Sequence, residues 1–293
     1  MILNKSFCLR KRKPLAIGFL SLSLIILFLA TSSLNRTGAS THSGNSSAAR
    51  TLQKKGQIQD KGDFKVVYNK IKNKEYAQLQ KEFQEGKVLE SIVADLNETF
   101  ALPTNVYVTF TECDEANAFY DPETHKLSMC YELIENYYEI FAKHEKSQDA
   151  LDDAVVGAII HTFYHELGHA LIHIYDLPIT GKEEDAVDQL STFILTDGTP
   201  EGEKAAIDGA RAFYLEARQQ ETDIDELAYW DEHSLSMQRF YNIICLVYGQ
   251  NEKKFAYLVK KGVLPEDRAG RCAGEYEQVE KAWTTLLAPY IKN

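Results

Sequence analysis

Apolar positions along the chain repeat with different periods, and the changes of period mark out the elements. Phe64 to Tyr68 and Val106 to Phe110 read as strands. Between them Leu79, Phe83, Val88, Ile92 and Leu96 recur at helical spacing, interrupted at Gly86 and stopped by Leu102-Pro103. Ala116 to Tyr120 and Lys126 to Cys130 read as two further strands, joined through Asp121-Pro122, a pair that starts turns. Glu132 to Lys146 returns to helix. From Leu151 to Tyr175 the chain is apolar on almost every side, which predicts a helix buried in the core. Pro178 sets its end, because proline disfavours helix in the residue before it. An acidic helix start at Glu183 runs on to Leu195, and Pro200 to Gln219, Ser234 to Tyr248 and Ala273 to Leu287 follow as helices backing a cleft. The expected fold is α+β: a small twisted, mainly antiparallel sheet over one long helix, with a mostly helical C-terminal half.

Ahead of this pattern the composition changes. Lys5, Arg10, Lys11, Arg12 and Lys13 precede a mostly apolar run from Leu15 to Ala30, and residues 1–30 read as an export signal, cleaved or kept as an anchor. The run is short for a span of about 20 residues, and Ala30-Thr-Ser-Ser offers small residues for cleavage, so both forms stay open. Residues 31–62 hold too few large apolar groups to fold and read as a disordered linker. That leaves 63–293 as the folded domain. The basic cluster should stay cytoplasmic, which places the domain outside: secreted, periplasmic or tethered at the outer face. Any membrane contact is then through the N-terminal segment alone.

The net charge of −11, more negative still without the leader cations, argues against nucleic acid or anionic lipid as partner. With Cys8 in the leader, Cys113, Cys130, Cys245 and Cys272 remain, an even number in an exported domain, which points to disulfides. Of three possible pairings we favour Cys113–Cys130 across a hairpin and Cys245–Cys272 tying a late helix to the next segment.

The chemistry concentrates in His165-Glu166-Leu167-Gly168-His169. Residues four apart share one face of a helix, so both imidazoles can point at one ion, while Glu166 can reach a water on that ion as general base without being a ligand. His161 and His173 continue the four-residue step but drift round the helix by about 40° each time, and we read them as core or supporting residues. A third ligand is expected from Glu183, Glu184, Asp185 or Asp188. Glu184 is preferred, with Asp188 on the same face to orient a ligand histidine and Asp185 or Asp188 as fallback ligands; Glu183 and Asp185 should point elsewhere. Acids in a first helical turn also simply complement the helix dipole. For a donor to the developing oxyanion, His233 is the first candidate, with Arg239 and Tyr241 behind it.

H-E-L-G-H followed by Glu184 and Asp188 resembles the gluzincin branch of zinc metallopeptidases. Ile172 and Tyr175 stand where the metzincin type needs Gly and His. Asn117-Ala-Phe-Tyr-Asp-Pro, His165-Glu-Leu-Gly-His-Ala, Gly181-Lys-Glu-Glu-Asp-Ala-Val-Asp-Gln and Trp230-Asp-Glu-His-Ser look like a bacterial family named only as candidate metallopeptidases, over roughly residues 64–290. The resemblance implies a zincin-like fold, Zn2+ on His165, His169 and Glu184, Glu166 as base and Asp188 behind the ligands; it supplies no particular substrate, and the expected chemistry is hydrolysis of a peptide or protein. The gap from His169 to Glu184 is shorter than in thermolysin-like enzymes. A hairpin ahead of the metal helix could offer its edge to an extended peptide or be an ordinary capped edge. The rival function is an exported zinc-containing binding or envelope module without turnover.

Overall fold

Strands Phe64–Val66 (β1), Val106–Thr111 (β2), Ala118–Asp121 (β3) and Lys126–Cys130 (β4) form one sheet in the order β1-β2-β4-β3. The structure is a computed structural model that describes residues 58–219, 227 and 229–292; the expected leader and almost all of the expected linker lie outside the described residues. β1 runs parallel to β2 and β2 parallel to β4, and only β3 is antiparallel to its neighbour. The sheet is therefore mainly parallel, against the antiparallel expectation. The hairpin between β3 and β4 forms as expected, but β4 slots between β3 and β2. Burial explains this order: Leu127, Ser128, Met129 and Cys130 are all buried, as suits a central strand covered on both faces, whereas no residue of β3 is.

Two edges remain, and they differ. The outer edge of β1 is closed by a side chain, Asn97, which accepts from Phe64 N at 2.7 Å and donates to Phe64 O at 3.0 Å. Among the described residues no strand pairs with the far side of β3. The Cys113–Cys130 disulfide forms as favoured, yet it ties the ends of the parallel neighbours β2 and β4, where Thr111 sits opposite Cys130, rather than crossing the hairpin.

Nine α-helices are described. Lys74–Glu85 (α1) and Val88–Thr99 (α2) are separated at Gly86, and Lys87 takes the left-handed conformation with φ 51°. Tyr131–Phe141 (α3) leads to Gln148–Tyr175 (α4), whose 28 residues make it about 42 Å long. Ser147 Oγ caps α4 by accepting from Ala150 N at 3.2 Å, so the helix begins before Leu151. It ends at Asp176, with φ 49°, where Leu177 N reaches back to Ile172 O at 3.0 Å.

Glu183–Leu195 (α5), Pro200–Gln219 (α6), Ser236–Gln250 (α7), Ala256–Lys260 (α8) and Glu266–Leu287 (α9) complete the chain. α4 lies at the centre, packed against α3, α5, α6 and the β3 side of the sheet, and α7 packs on α6 and α9. The second disulfide joins Cys245 of α7 to Cys272, also as favoured; Cys272 sits inside a helix that starts earlier than the apolar pattern from Ala273 suggests. The fold is thus α+β and mostly helical. Among the described residues no helix is long and apolar enough to cross a membrane.

Candidate metal centre

The centre forms where the middle of α4 meets the first turn of α5. His165 and His169, one helical turn apart, bring their rings to 5.0 Å between centroids. Between them Gly168 lets α5 approach, since a Cβ there would stand 2.7 Å from Val187 Cγ1. That approach delivers Glu184: its Oε2 is 3.1 Å from His165 Nε2 and its Oε1 3.2 Å from His169 Nε2. One ligand atom from each of His165, His169 and Glu184 lies within 4.8 Å of the others.

These contacts have hydrogen-bond length without hydrogen-bond direction. Glu184 Oε2 is buried and accepts no hydrogen bond from the protein, although His165 Nε2 and His233 Nε2 stand 3.1 and 3.0 Å away. A buried carboxylate oxygen orphaned between imidazole nitrogens is the arrangement a divalent cation satisfies. The residues present therefore fit a metal ion.

The far nitrogens are fixed. His165 Nδ1 is 2.8 Å from Asp188 Oδ1, and His169 Nδ1 is 2.8 Å from Glu183 Oε1. With Nδ1–H donating to these carboxylates, each Nε2 lone pair is left for an ion. Asp188 does what its spacing suggests. Glu183 does not point elsewhere, as expected, but orients the second histidine. Behind Asp188, Arg239 donates from Nε to Oδ2 at 2.7 Å and from a terminal nitrogen to Oδ1 at 2.8 Å, with its guanidinium 3.9 Å from the Phe213 ring centre. Nε and this terminal nitrogen of Arg239 are thus committed to Asp188.

Electrostatics follow the same geometry. Burial works to raise the Asp188 and Glu184 carboxyls, yet Arg239 and His165 for Asp188, and the three histidines for Glu184, hold both well below the usual carboxylate range. Burial also works against the His169 cation, but Glu184 and Glu183 win and push its pKa up to about 9. Glu166 moves upward, chiefly because it is buried, with His165 and His169 opposing. It takes a hydrogen bond from the backbone N–H of Tyr120 in β3.

His233 arrives from the segment before α7. Its Nε2 lies 3.0 Å from Glu184 Oε2, outside the three-ligand set, and its Nδ1 lies 3.1 Å from Asp231 Oδ1. Lys182, just ahead of α5, pins this segment by donating to Asp231 O at 2.8 Å. Tyr241 lines a cavity together with Asp185, and Asp185 is not among the three residues whose ligand atoms come together. His161 is core: buried against Ser191 Oγ at 3.0 Å, its pKa is pushed down to about 4 by burial. His173 is exposed rather than core, with Nδ1 3.0 Å from the Tyr120 hydroxyl. Cys113, Cys130 and Glu132 also cluster, but the two sulfurs are spent in the disulfide.

Residues 68–287 match the model of a protein family described as "Putative metallopeptidase". The chain belongs to this family. No curated protein and no solved structure matches it. Membership of a metallopeptidase family implies a metal ion and hydrolysis of peptide bonds, and His165, His169 and Glu184 are a set of described residues with the geometry to hold that ion. Three contributors to this candidate metal centre are not legible in the sequence. The reach of Glu183 depends on how α5 enters, Tyr120 contributes a backbone group with no side-chain signature, and Asp231 shows itself only once His233 is placed.

Proposed function

We propose that the protein is a zinc-dependent endopeptidase of gluzincin type, with His165, His169 and Glu184 holding Zn2+ and Glu166 as general base. The observation that carries the reading is the position of Glu166. It is buried beside both ligand histidines, outside the ligand set, and anchored by a backbone N–H rather than neutralised by a cation of its own. A structural zinc site is closed by four protein ligands and needs no such carboxylate. Two imidazoles and one carboxylate make a three-ligand set suited to Zn2+.

Bound zinc would polarise the scissile carbonyl and bring the pKa of the attacking water toward about 7. Glu166 accepts that water's proton on its carboxylate and delivers it to the departing amine nitrogen, a role served by its upward-shifted pKa. Glu184 and, more weakly, Asp231 raise the pKa of His233 against its burial, which favours the form with a proton on each ring nitrogen. Its Nδ1–H stays on Asp231, and its Nε2–H is the donor for the carbonyl oxygen as that atom gains charge.

The substrate is an extended peptide lying along β3. Cys130 N bonds to Asn117 O, so by alternation the backbone groups of Ala118 and Tyr120 face away from β4. Their carbonyls can accept from a peptide laid antiparallel beside Glu166. The activity belongs outside the cytoplasm, a placement supported by the basic and apolar leader and by two disulfides.

The test uses the full chain. Zinc content and cleavage of a mixed peptide pool are measured for wild type and Glu166→Gln. Equal zinc with cleavage reduced by about a thousandfold supports the reading; a zinc-loaded variant that cleaves as fast as wild type ends it.

A further inference from the structure

A cavity of about 370 Å³ opens between the first turn of α5 and α7, lined by Asp185, Ser234, Met237, Gln238, Tyr241 and Asn242. Two of these residues adjoin the metal centre in the chain: Asp185 follows Glu184, and Ser234 follows His233. Because His233 Nε2 and Glu184 Oε2 are 3.0 Å apart, each side of the cavity is one residue along the chain from the place where the proposed reading holds the scissile bond. In an extended peptide successive residues step by about 3.3 Å, so a side chain next to that bond is within reach of the opening.

We propose that this cavity is a specificity pocket for a lysine or arginine side chain of the substrate, with Asp185 as the group that selects it. The proposal rests on the reading of the neighbouring centre as a peptidase. Asp185 is half-buried, and among the described residues no hydrogen bond or ion pair uses its carboxylate. Its two acidic neighbours behave differently: Glu183 is bound to His169 and Glu184 to the histidine cluster. Asp185 is the only charged residue among those lining the cavity. Lys182, three residues earlier in the chain, donates instead to Asp231 O and His233 O, at 2.8 and 3.4 Å.

The other linings suit the same occupant. Ser234, Tyr241 and Asn242 add neutral oxygens that accept from an ammonium or guanidinium. Gln238 uses its side-chain oxygen on Leu235 N at 3.2 Å. Met237 and the Tyr241 ring give the methylene stem an apolar flank, as a long cationic side chain requires. A substrate carboxylate would meet Asp185 with no cation to offset it, and the chain's net charge of −11 repels acidic peptides at longer range.

The experiment compares peptides carrying lysine, arginine, norleucine, citrulline or glutamate at each position flanking the cleaved bond. For wild type the kcat/KM ratio of lysine over norleucine, at one of those positions, should exceed about tenfold. In Asp185→Asn that ratio should fall to near one, and in Asp185→Lys glutamate should overtake lysine. A wild type without the preference, or an Asp185→Asn protein that keeps it, overturns the pocket. Binding of the same peptides to Glu166→Gln separates the two readings: lysine-selective binding lost with Asp185→Asn upholds the pocket even if wild type cleaves nothing, while unselective binding overturns it regardless of turnover.

Discussion

Asp188 and Arg239 meet through both carboxylate oxygens, at 2.7 and 2.8 Å, and the same Oδ1 that receives the arginine also faces His165 Nδ1 at 2.8 Å. One largely buried arginine thereby sets the orientation of a candidate ligand histidine through a carboxylate it helps keep ionised. Replacing Arg239 by Ala strands a buried Asp188 and should cost about 3–5 kcal/mol of stability. It should also weaken zinc binding by about 10–100-fold. Arg239→Lys recovers little, because one ammonium cannot span both oxygens. Denaturant unfolding and zinc competition against a chelating dye measure the two effects; unchanged zinc affinity in Arg239→Ala would show that Asp188 is held by other means.

His233 touches Glu184 but lies outside the ligand set. His233→Ala should retain one zinc per chain while kcat falls by about 10–1000-fold with little change in KM. Glu184→Gln, by contrast, should lose zinc. A His233→Ala protein that also loses zinc would mean that this imidazole is a fourth ligand.

Gly168 sets the spacing between the helices that supply the ligands. In Gly168→Ala the new methyl would meet Val187 Cγ1 and Cβ at 2.7 and 2.8 Å, so α5 must shift. The strain should cost about 1–3 kcal/mol and carry Glu184 out of register. Adding Val187→Ala makes room for the methyl and should restore zinc affinity above that of the single variant. Affinities that simply worsen together would rule out a spacing role.

His161 is buried neutral, and its pKa is pushed from 6.5 to about 4, mainly by burial. Between those values the unfolded chain binds a proton that the folded chain does not. Stability is therefore complete above about pH 6.5 and declines as pH falls toward about 4, by up to about 3 kcal/mol. Urea unfolding in chelator at several pH values, for wild type and His161→Gln, isolates this contribution. Parallel curves for the two proteins would contradict it.

What could be read in advance was whatever lives inside one helix. The spacing of His165, Glu166 and His169, and of Glu184 and Asp188, encodes faces that the structure keeps. The favoured disulfide pairs form, but Cys113–Cys130 ties β2 to β4 rather than crossing the hairpin on which that choice rested. Sheet polarity was not legible, because alternation marks which face is buried but not which strand lies alongside. A cue did exist: Leu127-Ser-Met-Cys130 is buried throughout, the mark of an inner strand. The partners of His169 and of Glu166 come from an entry angle and a backbone amide, and neither leaves a trace in residue spacing.

The side of β3 that no described strand covers carries a cost that follows from its proposed use. A protein ordinarily protects such a border with lysine, proline or a covering loop, as Asn97 does for β1 at the opposite border. Here the same protection would shut out the peptide. On the proposed reading, a border open to a peptide is equally open to an edge strand of a second copy, so a bound peptide should lower the tendency of the protein to self-associate.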